Sequence, residues 1–129
     1  MKKLLILLFS LFLLSSPSVF ADWKYIGYST GGSEWYIDYQ TVKKNNGYYN
    51  FYILTDLIEP DKDGDLSYAA YRKVDCKESR YMILSEFYYS KNMGKGKLTK
   101  NPNKNPEWNY PPPGSMNQTV IRTLCDYVK

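Results

Sequence analysis

The chain has 129 residues with 17 basic and 13 acidic side chains, a formal charge of +4, two cysteines and no histidine. Without histidine the commonest general base and the commonest transition-metal ligand are gone, together with every Ser-His or Cys-His nucleophile arrangement, and the modest charge gives no argument for nucleic acid. Carboxylates such as Glu34, Asp38 and Glu86 show no spacing that selects them for acid–base work, so the expectation is a non-enzymatic protein without cofactor or metal.

Lys2 and Lys3 precede an apolar stretch from Leu4 to Leu14, followed by a polar, proline-containing segment that ends in Val19-Phe20-Ala21. This three-part order reads as a secretory signal peptide over residues 1–21, with small residues where a signal peptidase reads and cleavage after Ala21. The apolar run is about eleven residues, short of the roughly 20 that span a bilayer. No cysteine lies near the cut. The expectation is therefore an exported protein, not a lipoprotein, with no transmembrane segment in the mature chain, working in the periplasm or at the outer cell surface. Residues 22–129, about 110 in number, are the size of one domain. Losing Lys2 and Lys3 halves the formal charge.

From Trp23 the pattern is one of strands. "WKYIG" and "EWYID" flank "STGGS", as in a hairpin turned by Gly31 and Gly32. Tyr39 to Lys44 reads as a short irregular or single-turn segment, and Asn46-Gly47 as a tight turn because both residues tolerate positive φ. Tyr48–Ile58, Leu66–Cys76 and Arg80–Ser90 are apolar, tyrosine-rich runs joined by short connectors, which implies antiparallel neighbours. In the last run Tyr81, Ile83, Ser85, Phe87 and Tyr89 are expected on one face. Neither face is cleanly polar, so alternation alone does not choose the buried one.

"DKDGD", Asp61 to Asp65, has acids at alternate positions like the start of a calcium loop. Leu66 then stands where that loop needs glycine and Arg72 where it needs glutamate, so the stretch reads as a polar hairpin turn. Beyond the strands, residues 91–113 turn to lysine, asparagine, glycine and proline, a loop of about 23 residues, longer than the usual connector. Lys91, Lys95, Lys97, Lys100 and Lys104 make it a candidate binding loop, with a plain solvated connector as the other reading.

After "YPPPG", Ser115 and Gln118 stand at capping-box spacing. Val120, Ile121, Leu124 and Val128 follow at helical spacing, so a helix should lay that face on the sheet. "NQT" at Asn117 matches a glycosylation sequon but lies in the first turn of this helix, and no function attaches to it. Cys76 and Cys125 are an even pair in an exported chain, with no C-x-x-C spacing, and are expected to form a disulfide. Closing about 50 residues corresponds to about 4 kcal/mol in the chain-entropy model, an upper-end figure.

All fourteen tyrosines and all three tryptophans lie beyond the signal peptide. Tyrosine offers large contact area, a polar tip and little rotamer entropy to lose, which suits recognition surfaces, although it also fills half-buried sheet faces. Trp35, Trp108 and Tyr110 are candidate aromatic contacts, and exposed tyrosines beside the lysines suit an acidic protein or a glycan.

"DWKYIG", then "EWYIDYQTV" and a turn, a strand ending in "VDC", and a closing "WNYPPPGSM" that leads into a cysteine-bearing helix form an ordered set. In that order and spacing, over residues 22–129, the chain resembles the surface-adhesin protein E family. The resemblance implies an α+β domain: an antiparallel sheet of about five to six strands, packed by a C-terminal helix that the Cys76–Cys125 disulfide ties to it. It also implies an exported binding module contacting host extracellular-matrix, serum or envelope proteins. A periplasmic accessory protein of the envelope is the alternative, and a carbohydrate-binding module using Trp35 and Trp108 a further one. A homodimer through an exposed sheet edge also fits a sheet of this kind.

Overall fold

The computed structural model describes residues 21–129. These form β1 (Trp23–Tyr28), β2 (Glu34–Asn45), β3 (Tyr48–Asp56), β4 (Ser67–Asp75), β5 (Arg80–Lys91), a 3₁₀ turn at Asn92–Gly94, β6 (Lys95–Pro102) and α1 (Met116–Tyr127). The expected signal peptide lies, apart from Ala21, outside the described residues. The six strands pair in chain order from β1 to β6, every pairing antiparallel. The architecture is α+β: a meander with one helix against one face.

Turn chemistry sets the hairpins. Asn46 and Gly47 adopt φ of 52° and 84°, the two positive values that a two-residue turn between twisted strands needs. Between β3 and β4 the Asp61 carboxylate accepts from the backbone N–H groups of Asp63 and Asp65, both at 2.9 Å. The acidic stretch is therefore a self-bonded hairpin turn.

The core lies between sheet and helix. Ile37, Phe51, Ile53, Ala70, Val74 and Tyr81 from four strands meet Val120, Ile121 and Leu124 from α1, and Val128 packs at the edge of this cluster. Full burial of an aliphatic or phenyl side chain contributes about 1.5–3 kcal/mol, so these few residues hold the helix on the sheet. Ser115 starts α1 by accepting from the N–H of Gln118 at 3.2 Å. The Gln118 amide oxygen reaches one residue beyond the expected box and accepts from the N–H of Gly114 at 2.8 Å. The Cys76–Cys125 disulfide joins the end of β4 to the third turn of α1, with Cα atoms 5.8 Å apart and a separation of 49 positions in sequence.

Three expectations are corrected. Tyr39–Lys44 lies inside β2, not in a separate turn; its irregularity is a slip in pairing with β3 between Asp38 and Lys43. There the Thr41 hydroxyl donates to the Asp38 carbonyl at 2.6 Å and accepts from the Tyr52 N–H at 3.1 Å, replacing ladder bonds that the bulge removes. Segment 91–113 is not one loop, since β6 occupies Lys95–Pro102 and Asn109 exchanges two backbone hydrogen bonds with Tyr81 at 2.8 and 3.0 Å. Lysine and asparagine have low strand propensity, but the outer edge of β5 carries backbone groups that require partners, and that need recruits the segment.

The third correction concerns β5. Its register against β4 slips between Tyr71 and Arg72 and leaves Leu84 unopposed. Tyr81 and Ile83 consequently pack toward the helix, whereas Phe87 and Tyr89 line the opposite face. The single face expected for Tyr81, Ile83, Phe87 and Tyr89 is split by this bulge, which is why alternation did not identify a buried side.

Candidate functional site

The sheet face without a helix carries a cluster of partly exposed aromatic side chains. On it Tyr52 stacks on Tyr71 with ring centroids 4.6 Å apart and touches Phe87 at 5.8 Å. Trp23, Tyr52, Phe87, Tyr89 and Leu98 line an open groove of about 530 Å³, with Asp38 and Thr41 toward β2 and Lys100 toward β6. That volume falls in the range of ligand pockets, although the groove is open along the sheet. Burial raises the Tyr52 and Tyr89 hydroxyls above the ordinary tyrosine value, so both are neutral hydrogen-bonding groups at physiological pH. The face can offer ring area, a few hydroxyls and a lysine rim.

One end of this face is closed by the 3₁₀ turn. The Asp56 carboxylate accepts from the Met93 N–H at 2.7 Å and from the Asn92 amide at 3.1 Å. The buried Ser67 hydroxyl donates to the Lys91 carbonyl at 2.6 Å and accepts from the Gly94 N–H at 2.9 Å. Gly94 adopts φ of 68°, and a Cβ there would stand 3.7 Å from Leu54 Cδ1 and Trp23 Nε1. The turn thus seals Leu54, which is fully buried, and leaves the groove beyond it open.

The lysine set divides. Lys91 ends β5, while Lys95, Lys97 and Lys100 lie on β6, an exposed sheet edge, and Lys104 follows it. Lys100 joins the aromatic groove; Lys97 and Lys100 also border a cleft of about 710 Å³ beside Tyr88 and the acidic turn Asp61–Asp65. Lysines on an edge strand also disfavour pairing with a second sheet.

The aromatic set lies elsewhere. Trp35 is half-buried on the helix side, with the Arg72 guanidinium 5.9 Å from its ring centre. Trp108 packs on Tyr48 at 5.2 Å beneath the Arg80 guanidinium at 4.2 Å, and Tyr110, 65% exposed, accepts from Arg80 at 3.4 Å. Arg80 in turn pairs with Asp75 at 2.9 Å. Burial opposes ionisation of Asp75, but the bond from Arg80 and backbone bonds from Glu78 and Lys77 outweigh it and hold the carboxyl below its usual value. Trp108 and Tyr110 therefore anchor the proline strap that leads to α1, and neither they nor Trp35 joins the lysines.

Two residues stand out that the residue pattern did not single out. Arg72 is 4% exposed; it donates to Asn117 at 2.7 Å and lies 4.5 Å from the Tyr81 ring centre, and desolvation lowers its pKa to about 10. An arginine directly after the apolar run Tyr68–Tyr71, on a strand between Ala70 and Val74, was the available signal. Trp23 reaches the groove because β1 pairs with β2 opposite Asp38, a placement that depends on register.

A family model described as surface-adhesin protein E matches residues 23–126, and no curated protein sequence matches. Among solved structures, crystal form II of Haemophilus influenzae protein E superposes with a TM-score of 0.64 at 16% identity, covering 88% of this chain and 98% of that one. A second Haemophilus influenzae protein E structure gives 0.63 at 15% identity, covering 86% and 92%, and protein E from non-typeable Haemophilus influenzae gives 0.60 at 15%, covering 86% and 81%. At these identities the likeness is one of fold, and it spans the sheet, strap and helix together. With the family model covering most of its length, the chain belongs to the surface-adhesin protein E family.

Proposed function

We propose that this protein is exported, cut after Ala21, and acts without catalysis as a protein-binding module at the outer cell surface, using the helix-free face of its sheet. The observation that carries the reading is the groove of Trp23, Tyr52, Phe87, Tyr89 and Leu98 with Lys100 on its rim. Rigid aromatic side chains lose little entropy on binding and anchor protein interfaces, and the lysines of β6 favour an acidic partner and speed its encounter. A host extracellular-matrix or serum protein at the surface, or an envelope protein, fits that chemistry. Both cysteines are consumed by the disulfide, which supports a chain without a lipid on cysteine. No helix among the described residues is long and apolar enough to cross a membrane.

The test is binding of the purified mature protein to immobilised matrix and serum proteins, with Phe87→Ala and Lys100→Glu as groove variants and Tyr110→Ala as a control on the strap. Loss of a central anchor worth about 1.4 kcal/mol weakens binding tenfold. Equal binding by both groove variants and the parent protein would remove the assignment of this face. Cell fractionation decides where the module works: recovery only in the soluble periplasm transfers the role to an envelope accessory protein.

A further inference from the structure

Asp38 is a carboxylate with only 4% of its surface exposed, yet it takes part in none of the ion pairs among the described residues. Its Oδ1 accepts from the backbone N–H of Gln40 at 3.0 Å, and its Oδ2 faces the backbone nitrogen of Asp22 at 3.3 Å. A buried carboxylate served only by neutral donors bears a desolvation cost that a cation would offset. The nearby Lys24 is engaged elsewhere, its Nζ lying 3.4 Å from the Asp22 side chain.

The nitrogen facing Asp38 is the one that cleavage after Ala21 would release. We propose that signal-peptide removal completes the fold by converting the Asp22 amide nitrogen into an α-ammonium group paired with Asp38. The inference rests on the cleavage position proposed above. A signal peptidase adds water across the Ala21–Asp22 amide: the hydroxyl goes to the Ala21 carbonyl, which leaves as a carboxylate, and the Asp22 nitrogen takes up protons to become the ammonium. The group is held in place beforehand, because Trp23 pairs with Asp38 across β1 and β2. One neutral N–H then becomes a charged group with three donors, and charge-assisted bonds are shorter and stronger than neutral ones.

The precursor lacks this pair, so the mature chain has a stabilising interaction that arises only at processing. Asp38 and Trp23 also line the aromatic groove, so the new charge sits at its β2 end while Lys100 sits toward β6. A cation at each end would complement an acidic segment lying across the rings.

The test compares two chains beginning at Asp22, one with a free and one with an acetylated amino group, each with Asp38 or with Asp38→Asn. The proposal expects acetylation to lower the melting temperature by about 3–6 °C when Asp38 is present and to have little effect in Asp38→Asn. Equal melting of the free and acetylated parent chains overturns the pair. An acetylation effect of the same size in Asp38→Asn also overturns it, because the ammonium would then act elsewhere. Should Asp38→Asn not fold, Asp38→Ser serves in its place. Amino-terminal sequencing of the exported protein separates the two levels: a start other than Asp22 removes the processing step and the cleavage reading, even if the defined chains retain the pair.

Discussion

Arg72 in the middle of β4 donates from Nη1 to the Asn117 side-chain oxygen at 2.7 Å and so joins the sheet to the first turn of α1. No carboxylate pairs with this guanidinium among the described residues, and its Nε has no partner. The faces of Tyr81 and Trp35 supply the remaining electrostatic support, at 4.5 and 5.9 Å. The same contact occupies the sequon asparagine, whose side chain serves the helix–sheet interface.

Asn117→Ala is expected to destabilise the protein by about 1–3 kcal/mol, since it leaves a buried charged donor without its acceptor. Arg72→Met in the Asn117→Ala background should recover part of that loss, because an apolar side chain of similar length carries no desolvation cost. Urea unfolding of the four proteins in this cycle measures both effects, and additive losses would show that the two residues do not act as a pair.

Cys125→Ser should lower stability by up to about 4 kcal/mol, the entropy of closing a loop of this length in the unfolded chain. The urea midpoint under non-reducing conditions is the measurement. Adding reductant should lower the midpoint of the parent protein and leave that of the variant unchanged.

Asp56→Ala should release the 3₁₀ turn from the sheet while leaving the helix-side core intact. The Asp56 carboxylate holds the Met93 N–H and the Asn92 amide, and removing a charged acceptor of this kind costs about 1.5–3 kcal/mol. Hydrogen exchange is expected to quicken at Met93 and Gly94 and to stay slow in the Ile53 and Ala70 ladder. Uniform quickening would mean that the turn is part of the global unfolding unit.

Tyr36 and Tyr88 predict an alkaline loss of stability. Hydrogen bonds to Glu34 and Glu86 are the main causes, with burial adding to them, and each phenol is raised from 10.0 to about 12. The folded state therefore holds protons that the unfolded state has already lost, so the stabilisation is complete below pH 10, falls as the pH rises toward 12 and is gone above it. In a double Tyr36→Phe, Tyr88→Phe variant the decline of melting temperature over this window should be shallower than in the parent protein. An unchanged slope would assign the alkaline decline to other groups.

Sequence alone determined the local features. Asn46-Gly47 and the self-bonding Asp61 turn set hairpins through backbone chemistry contained in a few residues. Ser115 and the Val120–Leu124 pattern set the start and the inner face of α1 in the same way, and the single pair of cysteines announced its own bridge. The family, too, was legible in the order of its motifs.

Only the tertiary structure decided which face packs on the helix and which is left open. One unopposed residue, Leu84, moves Phe87 and Tyr89 to the side opposite Tyr81 and Ile83, because side chains on a strand alternate with a period of two and a single insertion reverses that alternation. β6 became a strand through the unpaired edge of β5, a requirement its own lysines and asparagines do not express. Asp38 and Asp22, sixteen positions apart, meet through the pairing of β1 with β2. Such contacts depend on register between segments, and register is settled by the packed sheet as a whole.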